Sequence, residues 1–402
     1  MGATNPHIFS NLSKINVFYT LLLSFTGPIS GFLIIPYTGF HLHYDLNVSF
    51  AMIGLITSIA LFIQFSGSIF MLNINKYLSC YYILLIGLLI RLIALVMFIC
   101  YLDNIVMLVT SVLLITISGA LYIPTTRSLL VDLVHLNKRK NFLISLQSSF
   151  ITLGRVSSTF LSSLAIHGYA ARIIIGCIVL YLLIFTILMI FVKHRYYLLK
   201  FYQKNIGYNY FKLIITYLKS PIVVTLLVMQ VSIYCIFLTY KIFAPIYISK
   251  VLNTHAVIYI FSLNSVFLII LQLSIYKIIV KFNYIKLFCY AFIFAILAFY
   301  CMNFTSLWIF IFSSFLLACS EVILTLGTDL QLSKFASRDI SCIFAIIRLG
   351  GGLGALFGNL LTGNLLTYLN NNWTGVWLVL IIISVLSVMY CIFSYNRQKQ
   401  AI

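Results

Sequence analysis

Six ionisable side chains stand inside long apolar runs of this sequence: Arg91, Arg127, Arg155, Lys241, Glu321 and Arg348. A charge at bilayer depth costs about 3 kcal/mol on insertion scales, so each is a candidate for binding or for moving charge. Glu321 is the only acid among them and the one obvious proton carrier. Arg155 falls near the middle of its run and faces either a substrate or a partner such as Glu321. Arg348 stands just before a glycine series. Lys241 and Arg127 lie towards the ends of their runs, where a long stem lets the charge reach the headgroups. Arg91 lies mid-run. Gln64, Gln272 and Asn264 are uncharged polar groups in similar runs, each needing a partner or a wet cavity. The buried cations outnumber the single buried acid. That balance favours an anionic or carboxylate-bearing solute and disfavours a lipophilic cation.

Other chemistries lack their residues. No Walker A lysine motif is present, so ATP hydrolysis is not expected. The nine cysteines are scattered singly with no CxxC, and read as small buried hydrophobes. His41-x-His43 with Asp45 has metal-like spacing but no further ligand nearby, and reads as an interfacial loop. No Ser-His-Asp or paired-carboxylate pattern supports an enzyme. No cofactor is expected, and a proton gradient is the suspected driving force.

The elements that must position these residues follow from composition. Of 402 residues, 63% are hydrophobic and 8% charged, with a mean hydropathy of +1.12. No soluble fold hides that much apolar surface, so the solvent for most of the chain is lipid. The runs are long and continuous, which selects helices over a barrel of alternating strands. Twelve spans are predicted: 16–39, 48–72, 80–101, 105–131, 142–166, 171–193, 221–248, 256–280, 284–302, 305–328, 340–367 and 374–394. The polar residues 1–14 show no cleavable leader pattern, so the first span is expected to stay in place.

Charge sets the expected orientation. Of 25 Lys and Arg, five lie well inside spans and eighteen lie in the loops, termini or span ends on the side of the termini, among them Lys76 and Lys138-Arg139-Lys140. The opposite loops carry only Arg172 and Lys250. Both termini are therefore expected in the cytoplasm, and the net charge of +19 reflects topology, not nucleic-acid binding. The basic, aromatic stretch 194–220 separates residues 1–193 from 221–402, six spans each, and reads as a linker on the inner leaflet.

The halves echo one another. Gly154, Ser158 and Ser162 in span five recur as Gly350, Gly354 and Gly358 in span eleven, each offset by 196 residues. Small residues at every fourth position make a smooth face where another backbone can approach. Gln64-Phe-Ser66 in span two is echoed by Gln272-Leu-Ser274 in span eight, offset by 208. The pattern reads as a duplicated six-helix unit.

Several segments resemble the major facilitator superfamily, in particular its drug:proton antiporters of the multidrug-resistance type. They are Phe32-Leu-Ile-Ile-Pro36, then Asp45 and Met52-Ile-Gly54, Phe62-Ile-Gln64, and Ile86-Gly87 through Arg91. Gly119-Ala-Leu-Tyr-Ile-Pro124 with Arg127, and Arg348-Leu-Gly350, complete the set. The resemblance implies two six-helix bundles of an all-α polytopic membrane protein, rocking about a midplane site in a bacterial inner membrane. It implies a small-molecule substrate, the lipid bilayer as surround, and a monomer, and it places span three at the periphery, which makes Arg91 structural. The family's loop 2–3 signature falls on Leu72, Lys76, Tyr77, Ser79 and Cys80, with its acid replaced by lysine. Asp339 at the start of span eleven then suggests a charge-swapped latch with Lys76. Proton-coupled efflux of a small organic solute is the expectation. The alternatives are movement of an anionic metabolite or carboxylate siderophore, or a family member that no longer transports.

Overall fold

The computed structural model describes residues 6–74, 78–133, 137–165, 169–191, 210–333 and 337–400. Those residues are helical throughout apart from short turns, with no strand among them. The first six helices are α1 (Pro6–Tyr44), α2 (Phe50–Ile74), α3 (Cys80–Cys100), α4 (Ile105–Leu133), α5 (Asn137–Ala165) and α6 (Tyr169–Phe191). A short helix, α7 (Tyr210–Leu218), precedes α8 (Pro221–Val251), α9 (Thr254–Lys281), α10 (Tyr284–Cys301), α11 (Leu307–Ser333), α12 (Ser337–Tyr368) and α13 (Trp373–Gln400). Residues 194–209 of the expected linker lie outside the described residues.

Twelve of these helices match the twelve expected spans. Ten are long and apolar enough to cross a membrane on their own, and α6 adds a shorter apolar stretch, Ala171–Ile187. The remaining one, α5, is rich in serine and polar at its start. It packs against α1, α4, α6, α9 and α11, so much of its surface meets protein, where serines close their bonds on their own helix.

Local sequence sets the helix ends. α8 opens on Pro221, whose missing N–H is an orphan at that position anyway. The side chain of Asn283 accepts from the Ile285 N–H at 2.9 Å and caps α10. Asn370 and Asn371, at φ 50° and 67°, turn the chain between α12 and α13, and Asn47 at φ 50° does so between α1 and α2. Asparagine tolerates that left-handed backbone better than other non-glycine residues.

Helices α1 to α6 pack mainly among themselves, as do α8 to α13. The groups meet mainly where α2 packs on α12, α5 on α9 and α1 on α8, and more sparsely where α5 meets α11 and α4 meets α12. The α2–α12 seam is the tightest. A Cβ placed on Gly54 would lie 2.5 Å from the Asn359 carbonyl, and one on Gly363 would lie 2.5 Å from that of Phe50. Ser58 Oγ donates to the Leu356 carbonyl at 3.0 Å, and the Ala51 N–H donates to Thr367 Oγ1 at 3.0 Å. The bundle is thereby sealed at the end remote from the termini. There the Phe50 ring also meets Trp373 edge-on at 5.6 Å, and Tyr44 donates to the Ile246 carbonyl at 3.2 Å.

The repeated small residues lie elsewhere. Gly154 of α5 meets the Phe25 carbonyl of α1. Gly350 and Gly358 of α12 meet the Leu227 and Cys235 carbonyls of α8, at 2.9 and 2.8 Å from a built Cβ, with Gly354 against Val231 between them. Ser158 Oγ donates to the Arg155 carbonyl at 2.5 Å, and Ser162 is buried. The glycines of both series therefore join helices inside one group. Between the groups, the closest approaches of a glycine to backbone are those of Gly54 and Gly363, with Gly352 and Gly39 farther off, where a built Cβ would lie 3.4 Å from the Phe62 and Ile242 carbonyls.

Candidate functional site

α8 is covered along most of its length by α1, α9, α11, α12 and α13, which is why it is apolar nearly all round. Lys241 sits in this setting 8% exposed, and its stem does not carry the charge out to headgroups as its position suggests. Its Nζ meets Glu321 Oε1 of α11 at 2.6 Å. Both side chains are close to buried, at 10% and 13% exposure, so each charge depends on the other for solvation. Glu321's partner is thus Lys241 and not an arginine.

Arg155 of α5 faces this pair from the other group of helices. Its guanidinium lies over the Phe32 ring of α1 at 5.0 Å, a cation–π contact. Nη2 reaches Tyr234 Oη of α8 only at 3.4 Å, and the buried Nε has no acceptor. No carboxylate lies within ion-pair distance of it among the described residues. Phe32, Arg155, Tyr234, Lys241, Glu321 and Thr325 line one cleft between the groups. It holds about 300 Å³ of empty space, yet the volume open to the centre of a water molecule is about 20 Å³. It is narrow and has room for about one ordered water.

Arg348 lies beyond an aromatic pair. The Phe65 and Tyr234 rings meet edge to face at 4.5 Å, with Arg155 beside Tyr234 and Arg348 over Phe65 at 4.9 Å. Phe344 covers Arg348 at 5.5 Å, and its Nη2 reaches the Gln64 carbonyl at 3.5 Å. Gln64 is buried in α2, with no partner for its side-chain oxygen. Asn264 of α9 donates to the Ser314 carbonyl at 3.0 Å, and Gln272 is buried with its Nε2 unpartnered. Neither of these two lines the cleft. The Gln-x-Ser echo repeats one local bond, since Ser66 and Ser274 each donate to the carbonyl four residues back.

Arg91 is held at 1% exposure inside the first six helices. It donates to Ser118 Oγ at 2.7 Å, to the Gly27 carbonyl at 2.6 Å and to Ser30 Oγ at 3.0 Å. Those bonds tie α3 to α4 and to α1 beside Pro28. His41 and His43 turn to separate partners. His41 sits between Asp45, at 2.5 Å from Nδ1, and the Leu102 carbonyl, at 3.0 Å from Nε2. His43 stacks on Phe50 at 4.3 Å. Lys76 and the side chains of Asp339 and Arg127 lie outside the described residues, so their latch and depth are not seen.

Sequence reasoning missed Tyr234, Phe32 and Phe65, because aromatic residues in an aromatic-rich membrane chain carry no local mark. It also missed the pairing of Lys241 with Glu321, although Glu321 is the only acid inside the expected spans of the second group.

A family model described as Major Facilitator Superfamily matches residues 20–325. A crystal structure of a mutant of the nucleoside transporter NupG shares 14% identity over 94% of this chain and 100% of that one, with a TM-score of 0.73. A bacterial homolog of the human lysosomal transporter Spinster, inward-facing and unoccupied, shares 12% identity over 96% and 97% of the two chains, at 0.72. A bacterial homologue of the human drug peptide transporters PepT1 and PepT2 shares 11% over 96% and 99%, at 0.72. No curated protein matches the chain significantly in sequence.

Proposed function

The chain belongs to the Major Facilitator Superfamily, and on that footing we propose that it is a proton-coupled secondary transporter of a small organic solute. Residues 1–193 and 221–402 rock about the cleft, linked by 194–220, in a bacterial inner membrane with both termini in the cytoplasm. In that orientation the sealed end is the outer one, and substrate enters the cleft from the inside. Glu321 carries the proton. One observation supports this most: the buried Lys241–Glu321 pair at 2.6 Å on the wall of a cleft between the two groups of helices. Protonating Glu321 dissolves the pair and frees Lys241, so one proton alters the charge offered to a substrate.

Efflux in exchange for protons is what the resemblance to drug:proton antiporters implies. The cleft's charge favours the anionic alternative, because Arg155 adds a cation with no acid to match it. The test is flux into energised membrane vesicles of solutes spanning lipophilic cations to polycarboxylates, with and without a protonophore. Protonophore-sensitive flux that vanishes in Glu321→Gln is expected. Flux indifferent to both treatments would end the proton-coupled reading and leave a uniporter. A protein that no longer transports would show no flux, and Glu321→Gln would change only its stability.

A further inference from the structure

We infer that Met229, Cys289 and Cys391 form a binding site for one copper(I) ion where three helices of the second group meet. None of the three residues lines the cleft, so the site stands whether or not the transporter reading does. The ion arrives and stays as copper(I), and no electron changes hands.

Packing brings the three sulfurs together. α13 lies against both α8 and α10. Cys391 Sγ of α13 donates to Met229 Sδ of α8 at 3.6 Å. The same thiol is in hydrogen-bond contact with that of Cys289 on α10. A second contact along the same seam fixes the register: Lys286 of α10 lies over the Tyr395 ring of α13 at 5.3 Å. Three residues on along α10 and four back along α13 keep to the same two faces and bring Cys289 level with Cys391. Met229 and Cys391 are buried, and Cys289 is half-buried near the start of its helix.

The donor set chooses the metal. Thiolate and thioether sulfur are soft ligands and select copper(I). Zinc takes four ligands from thiolate, imidazole and carboxylate, and among the described residues no three His, Cys, Asp or Glu side chains gather to supply them. Three sulfurs each about 2.3 Å from one metal, as thiolates are on zinc, stand roughly 4 Å apart. The 3.6 Å contact is already close to that spacing. The site therefore closes on an ion by small side-chain movements, which the unbranched Met229 absorbs. The charges also balance. Each thiol gives its proton to the medium as the metal binds, so copper(I) with two thiolates carries one negative charge. The Lys286 ammonium, one turn back on the same face of α10, offsets it. The bound ion would clamp α8, α10 and α13 together.

The test uses the purified full-length chain in detergent, reduced and free of oxygen, with copper(I) supplied from an excess of the coloured chelator bathocuproine disulfonate. The wild type is expected to draw one copper(I) per chain from the chelator, and zinc(II) is expected not to compete. X-ray absorption should show sulfur alone around the bound ion. Cys289→Ser and Cys391→Ser should each lower the affinity at least about 100-fold, the upper end of what losing a mere supporting residue costs a metal site. Met229→Leu should lose less, because a thioether brings no charge. Copper(I) should raise the melting temperature of the wild type and leave that of Cys289→Ser unchanged. Size-exclusion profiles check that each variant is folded. A readout on the unaltered chain needs no variant: bound copper(I) should slow alkylation of Cys289 by N-ethylmaleimide, followed by mass spectrometry. No copper drawn from the chelator, zinc bound in preference, or nitrogen or oxygen around the ion would overturn the site. So would an affinity unchanged in folded Cys289→Ser, or alkylation of Cys289 indifferent to copper.

Discussion

Lys241 and Glu321 each hold the other in place, so removing one strands the other. Replacing a single member of a buried pair typically costs 3–5 kcal/mol because the survivor keeps its charge without a partner, whereas replacing both with apolar groups is often close to neutral. Lys241→Met should therefore lower the unfolding temperature in detergent markedly, and Lys241→Met with Glu321→Met should recover most of the loss. Additive losses in the double variant would mean that the pair is not coupled. Arg91 answers a different need. Its acceptors are a carbonyl and two hydroxyls, all within the first six helices. The structural reading that the resemblance implies for Arg91 agrees with that placement, whereas its mid-run depth alone marks it as a candidate for function. Lys241 shows where such reading stops. Its distance from the run's end suggests an escape to the headgroups, but helices on most sides of α8 block the path, and sequence does not show what covers a helix.

At the scale of the element, the small residues divide by what they touch. Gly354 holds α12 against Val231 of α8, within one group of helices, whereas Gly363 holds α12 against Phe50 of α2, across the two. Both approach backbone, which cannot swing aside as a flexible side chain can. Gly354→Leu should thus reduce stability of the fold itself, read as a lower melting temperature. Gly363→Leu should instead push α2 and α12 apart at the sealed end. Its readout is a cysteine at Ser58, whose hydroxyl faces the Leu356 carbonyl, in a background with Cys100 and Cys177 replaced by serine. That cysteine should become several-fold more reactive towards a membrane-impermeant thiol reagent when Gly363 is replaced, and stay protected when Gly354 is. The spacing of small residues was legible, since a four-residue period marks one helix face. Which helix would lie on that face was not, because every candidate neighbour is apolar.

At the scale of the whole molecule, twelve apolar runs gave twelve long helices in their expected order, because lipid leaves the backbone few alternatives. The serine-rich α5 shows the same logic from the other side: a span surrounded by protein has less need to be apolar. The cleft was legible only in part. Glu321, Lys241 and Arg155 stood out as charges in apolar runs, while the aromatic residues that shape the space around them look like any others in the chain. If both termini are cytoplasmic, a protease-resistant tag at either end of intact cells and an accessible tag in the 101–104 turn are expected, and the reverse pattern would invert which end is sealed.

The ion pair also has an electrical consequence. Lys241 and Glu321 both sit on helices of the second group, α8 and α11, while Arg155 sits on α5 of the first. In the proposed rocking cycle the pair's charges would travel together and cancel, so the membrane voltage would do almost no work on them. A lone charge crossing the full field is worth about 2.3 kcal/mol per 100 mV. For the anionic substrate proposed above, the step in which Arg155 moves without an anion would then be the one that voltage accelerates or retards, and the loaded step would be nearly blind to it. Turnover of such a carrier is governed by the membrane potential on its empty return.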